Sequence, residues 1–150
     1  MVDAGARLAL DFTDAGHATT AGVGVDRLVD DSLTLIAKAS QGHDVAVIEV
    51  ADGLFQTETA GILRSERFVA AVDKVILAAG DAMGAAFGHQ WLVDNALPIS
   101  LIAGCVGSSP LGLREAAEAT GLHVATLAEL GDPQMAPRLC FDETLLSSAA

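Results

Sequence analysis

Two places in the sequence carry residues able to do chemistry. Glu49 and Asp52 close an almost unbroken apolar run, Val45 to Val50, within DVAVIEVADGLFQTE. Asp11 and Asp14 stand with Gly16 and His17 in DFTDAGHATT. Carboxylates so placed can hold Mg²⁺ through water or orient a nucleophile. The competing reading is plainer: Asp52-Gly53 is a turn dipeptide, Glu49 is a solvated strand-end acid, and the Asp, Gly and Thr residues form an ordinary loop. Both readings stay open on spacing alone. Gly-Asp at Gly80-Asp81 and Gly-Ser-Ser at Gly107-Ser108-Ser109 also follow apolar runs, and such loops can hold a carboxylate or a sugar. Ser108 lacks a G-x-S-x-G context, which argues against a serine nucleophile.

The elements that position these residues alternate along the chain. Ala6 to Thr13 reads as a strand and Val25 to Ala39 as an amphipathic helix stopped by Gly42. Val45 to Val50 reads as a buried parallel strand, because a short apolar run bounded by turn residues has that signature. Thr57 to Val72 is helical, with a break expected around Arg64 to Arg67. Lys74 to Ala79 is a strand, Ala82 to Ala96 a helix of small residues, and Pro98 to Ala103 a strand. Pro110 suits a first helical turn capped by Ser108 or Ser109, Leu111 to Thr120 continues the helix, and Gly121 ends it. His123 to Thr126 is a short last strand. The alternation predicts an α/β fold with a mostly parallel sheet of about five strands and helices on both faces. Residues 1–130 form the domain, and residues 131–150, with two prolines and no period, read as an arm or tail whose Leu139 and Phe141 need covering. Ligands in such sheets gather at the carboxyl ends of the strands, where the residues above fall.

Composition narrows the function classes. The chain has 150 residues, 51% of them hydrophobic, and a formal charge of −12 with eight Lys and Arg. Nucleic acid is not expected as a partner, because no basic surface is available to neutralise phosphates. No stretch resembles a membrane span, since Asp73, Lys74 and Asp81 interrupt the most apolar region. No signal peptide is expected after Met1-Val2-Asp3. Cys105 and Cys140 lie far apart without zinc spacing, which suits a reducing cytoplasm. An apolar surface covered by a partner would also suit this composition.

The segment VIEVADGL resembles the V-E-G-A-G-G segment of dethiobiotin synthetase and the cobyrinic-acid-synthase-like P-loop enzymes. LDFTDAGHATT, IEVADGLFQTETAGIL and AAGDAMGA look like the C-terminal part of uncharacterised bacterial P-loop proteins of that broad group, over roughly residues 3 to 130. The resemblance implies a three-layer P-loop NTPase-like fold and ATP with Mg²⁺ as cofactors. It implies that Glu49 binds the metal, with Asp11 or Asp14 as second contact. It places base or substrate near Gly53, Gly80, Asp81, Gly107 and Ser108. One departure is large: no G-x-x-x-x-G-K-[ST] occurs in the sequence, so the main cradle for β- and γ-phosphates is missing.

Three functions follow as expectations. The first is an ATP-dependent, dethiobiotin-synthetase-like half that is inactive alone and completed by a partner chain carrying the phosphate loop. The second is a non-catalytic binding or assembly module, with a homo-oligomer expected. The third is a small-molecule-binding domain without phosphate chemistry.

Overall fold

Local chemistry decides most of the helices. A computed structural model describes residues 1–135, 137 and 138, and the chain divides into two units, Met1–Ala71 and Val72–Ala150.

In the first unit, α1 spans Val25–Ser40 and buries Leu28, Val29 and Asp31. Gly42, at φ 75°, follows its end. The second helix, α2 (Thr57–Leu63), starts where the Gln56 side chain accepts the Thr59 N–H at 2.6 Å. A short α3, Glu66–Val69, follows a break at Arg64-Ser65. The three helices share a core of Leu28, Val29, Ala60, Ile62, Leu63 and Phe68. Gly61 sets how closely α2 meets α1, because a Cβ there would lie 2.5 Å from a Val25 methyl. Arg67 Nη1 reaches Asp30 Oδ1 at 2.7 Å and ties α3 to α1.

In the second unit, β1 (Val75–Ala78) and β2 (Ile99–Ala103) form a two-stranded parallel sheet. Ile76 pairs with Leu101, Leu77 with Ile102 and Ala78 with Ala103. Between them runs α4, Ala82–Asp94, and after β2 comes α5, Pro110–Thr120. A short helix, α6, covers Leu127–Leu130 behind a capping box of Thr126 and Glu129. The core is Ala79, Ala85, Ile102, Val106, Ala116 and Val124, with Leu77, Leu113 and Leu122 packed against it. Small residues let the helix approach the sheet closely. A Cβ on Gly88 would lie 2.8 Å from Leu77 Cδ2.

The expected sheet of about five strands with helices on both faces, in a three-layer P-loop NTPase-like arrangement, is not what forms. Among the described residues there are two short strands, and most of the regular structure is helix. The His123 to Thr126 segment contributes only a single parallel bridge, Ile102 to Val124. Ala6 to Thr13 contains no strand. At its end, Asp11 Oδ1 takes both the N–H and the hydroxyl of Thr13, and the Asp11 and Phe12 carbonyls accept turn bonds from the Asp14, Ala15 and His17 N–H groups, which curls the chain away from a ladder.

Val45 to Val50 is likewise not a strand. No backbone–backbone hydrogen bond joins it to another described residue. Beyond it, Asp52 (φ 68°) and Gly53 (φ 74°) both adopt the left-handed conformation, which Asp tolerates and Gly accepts freely. The chain therefore turns directly after the run. A strand exists only where a neighbouring edge takes its N–H and C=O groups, and apolar composition does not supply that edge. The expectations on Leu139, Cys140 and Phe141 fall outside the described residues.

Candidate functional site

The candidate residues divide between the two units. In the first unit, the acidic loop folds upon itself. The Asp11 N–H donates to Asp14 Oδ2 at 2.9 Å, and Asp11 Oδ1 accepts from the Thr13 N–H at 2.7 Å and from Thr13 Oγ1 at 2.6 Å. The Thr13 hydroxyl, and then its N–H, hold the Asp11 carboxyl below the usual carboxylate range. Both acids are exposed. Glu49 is exposed too, on the unpaired Val45 to Val50 run. Among the described residues, no three His, Cys, Asp or Glu side chains gather where they would hold a metal ion together. Asp11 and Asp14 are thus neighbours, and Glu49 does not complete a ligand set with them.

The same unit contains an ionic node that sequence reasoning missed. Asp31 Oδ2 accepts from Arg27 Nε at 2.7 Å and meets His17 Nε2 at 2.7 Å. Asp31 is buried, while most of the Arg27 side chain is exposed. The His17 hydrogen bond is the chief cause that lowers the Asp31 carboxyl pKa from its ordinary value, with Arg27 assisting and burial opposing. The phenyl ring of Phe12 stands edge-on to His17, 6.2 Å between centroids. From sequence, His17 reads as a loop histidine and Asp31 as a charge on the polar face of α1. The available signal was Arg27 to Asp31, a spacing of four residues that puts the two on one helical face.

A second anchor holds the Gly22 loop. Glu58 Oε1 accepts the Gly22 N–H at 2.8 Å, and the Gln56 amide donates to Glu58 Oε2. Gly22 is the main cause holding the Glu58 carboxyl below its ordinary range. These contacts tie loops to helices. The open groove beside α1 carries Lys38 and Arg67, but Asp30 already pairs with Arg67.

In the second unit, Gly80-Asp81 and Gly104 to Ser109 do lie at the carboxyl ends of adjacent parallel strands. The Val106 N–H donates to the Ala79 carbonyl at 3.1 Å, which joins the two loops. Gly104 has φ 96°, and a Cβ there would lie 2.7 Å from the Ala79 carbonyl oxygen. Gly107 is buried, and its Cβ would lie 2.5 Å from the Ala125 oxygen. Both glycines are needed for close backbone approach.

Helix capping uses the polar groups of this edge. Asp81 Oδ1 accepts the Gly84 N–H at 2.7 Å, Ser109 Oγ accepts the Gly112 N–H at 3.0 Å, and Ser108 Oγ donates to the Cys105 carbonyl at 2.6 Å. The Asp81 carboxylate sits at the positive end of α4, where an anionic ligand would otherwise bind. No Lys or Arg lies between Gly80 and Pro110 to draw a phosphate in. This edge has the geometry of a substrate site and the electrostatics of a capped scaffold.

Among the described residues, no helix is long and apolar enough to cross a membrane. No family model, no curated protein and no solved structure matches the chain.

Proposed function

We propose that the chain is a non-catalytic binding module, completed by a partner chain that pairs with its unpaired apolar run. The observation that carries this reading is the state of Val45 to Val50. Its composition is that of a buried strand, yet Val45 is 44% exposed, Val47 91%, Ile48 39% and Val50 39%. Its backbone takes no backbone partner among the described residues. Unpaired backbone beside β-branched side chains is a template for strand addition by another chain. Covering a fully exposed side chain of this size contributes about 1.5–3 kcal/mol, which Val47 approaches, while Val45, Ile48 and Val50 are already more than half covered and add less each, so main-chain hydrogen bonds carry the rest of the association.

Hydrogen exchange on the dilute, monomeric chain tests the reading. The amides of residues 45–50 are expected to exchange as fast as those of an unstructured peptide, while those of β2 are protected. Strong protection of residues 45–50 in the monomer would overturn it.

A second reading keeps nucleotide chemistry: an ATP- and Mg²⁺-dependent half whose phosphate loop resides on another polypeptide. The exposed pair Asp11 and Asp14, with Asp11 held ionised, favours it. Calorimetric titration with ATP, with and without Mg²⁺, separates the two. Metal-dependent binding that is lost in Glu49→Gln and Asp11→Asn would establish the nucleotide site. An absence of binding by the isolated chain excludes a self-sufficient nucleotide site, and the split-enzyme reading then requires that ATP turnover appear on adding the chain that carries the phosphate loop.

A further inference from the structure

We infer that the partner presents to Val45 to Val50 an apolar β-strand flanked by Lys or Arg. The inference rests on the binding-module reading and adds the chemical class of the partner.

The first argument is the pattern of the run itself. Val45, Val47 and Glu49 alternate with Ala46, Ile48 and Val50. In an extended strand these two sets point to opposite faces. Val47 is the most exposed of the large apolar residues in the run, and Ala46 is half-buried. Val47 is therefore the centre of the exposed apolar surface, with Val45 beside it on the same face of an extended strand. A partner strand of Val, Ile or Thr supplies the cross-strand neighbours that such side chains pack against.

The second argument is charge. Asp44 precedes the run, Glu49 lies within it, and Asp52 follows it; all three are exposed. No Lys or Arg occurs between Lys38 and Arg64. None of the ion pairs formed by described residues engages Asp44, Glu49 or Asp52. Cations at both ends of an incoming strand would meet an acid at each end. That arrangement speeds encounter and fixes register.

The same charges count against a second copy of this chain as the occupant. Each copy carries a formal charge of −12. Parallel in-register pairing would set Glu49 against Glu49, and like charges directly opposite destabilise a ladder. An acidic or neutral strand lacks the attraction that a basic one has.

The experiment uses the full chain and two blocked synthetic peptides with one core, Val-Thr-Val-Ile-Val. One peptide carries two lysines at each end and the other two glutamates. Binding is read by calorimetry, and its location by hydrogen exchange at residues 45–50. The lysine peptide is expected to bind at least about 10-fold more tightly at low salt and to protect these amides, with the preference fading near 1 M salt. Asp44→Lys combined with Glu49→Lys should invert the preference. Val47→Pro, at an exposed position where folding tolerates it, should abolish binding by removing a ladder N–H.

Equal affinity for both peptides would overturn the charge assignment and leave the binding-module reading intact. No binding by either peptide, with the amides unprotected, would overturn the partner class alone. Amides already protected in the free monomer would overturn the module reading itself. Concentration-dependent self-association that protects residues 45–50 would make a second copy the occupant and refute the basic partner.

Discussion

Val45 to Val50 and Val75 to Ala78 look alike as sequence. VAVIEV is followed by Ala-Asp-Gly, and VILA by Ala-Gly-Asp. One is a strand and the other is not. Val75 to Ala78 runs beside Ile99–Ala103, which gives it a ladder, and α4 packs against it. Val45 to Val50 has no ladder among the described residues and turns away at Asp52-Gly53. The difference teaches that apolar composition makes a segment competent for a sheet, while an available edge makes it a strand.

Substitutions at matched positions sharpen this contrast. The largest effect is expected at Ile102, fully buried in β2. Ile102→Ala should destabilise the chain by about 2–5 kcal/mol, whereas Val47→Ala should change stability by no more than about 0.5 kcal/mol. Urea midpoints measure both. A comparable loss at Val47 would mean that the run is packed after all, and the contrast would collapse.

The glycines form the next pair. Gly107→Ala forces a Cβ against the Ala125 oxygen and should cost about 1–3 kcal/mol. Gly53→Ala meets open space and is opposed only by its left-handed backbone, so about 1 kcal/mol is expected. Thermal melts of the two variants should rank them in that order.

Capping gives a smaller change. Ser109→Ala removes the acceptor for the Gly112 N–H and should cost about 1 kcal/mol, with Ser109→Asn retaining most of the stability. Urea titration of the pair distinguishes a lost cap from lost packing.

The smallest effect belongs to the ionic node. The folded state lowers the Asp31 carboxyl pKa, so folding favours its charged form. Its contribution is complete above the ordinary carboxylate range and is lost as pH falls through the lowered value. Asp31→Asn should therefore flatten the acid limb of the stability profile below about pH 4, where an ordinary Asp begins to protonate. Urea midpoints from pH 7 to pH 3 measure this. An unchanged acid limb would show that the pairing with His17 and Arg27 carries no linkage.

Helices were more legible than strands. α1, α4 and α5 lie close to where periodicity and capping residues place them, because the i to i−4 bonds close within the segment itself. Ser109, Pro110 and Gly121 mark the start and end of α5 as local chemistry requires. The break at Arg64-Ser65 was also visible. At the candidate site, the sequence placed Gly80 and the Gly104 to Ser109 loop after apolar runs but left the strand order open, and of the caps only the serine of α5 was legible. The Asp31 node was not legible as a whole, since His17 is brought to it by a turn whose closure depends on the Asp11 and Phe12 carbonyls.

The sequence by itself determined the longer helices α1, α4 and α5, the capping of α5, the acidic charge and the absence of a phosphate-binding lysine loop. Each of these is local or compositional. Only the tertiary structure decided which apolar runs became strands, that His17 and Arg27 converge on Asp31, and that Val47 faces outward. Those outcomes depend on a partner distant in the chain, and a hydrogen-bonding edge or a buried charge pair exists only when both sides are brought together.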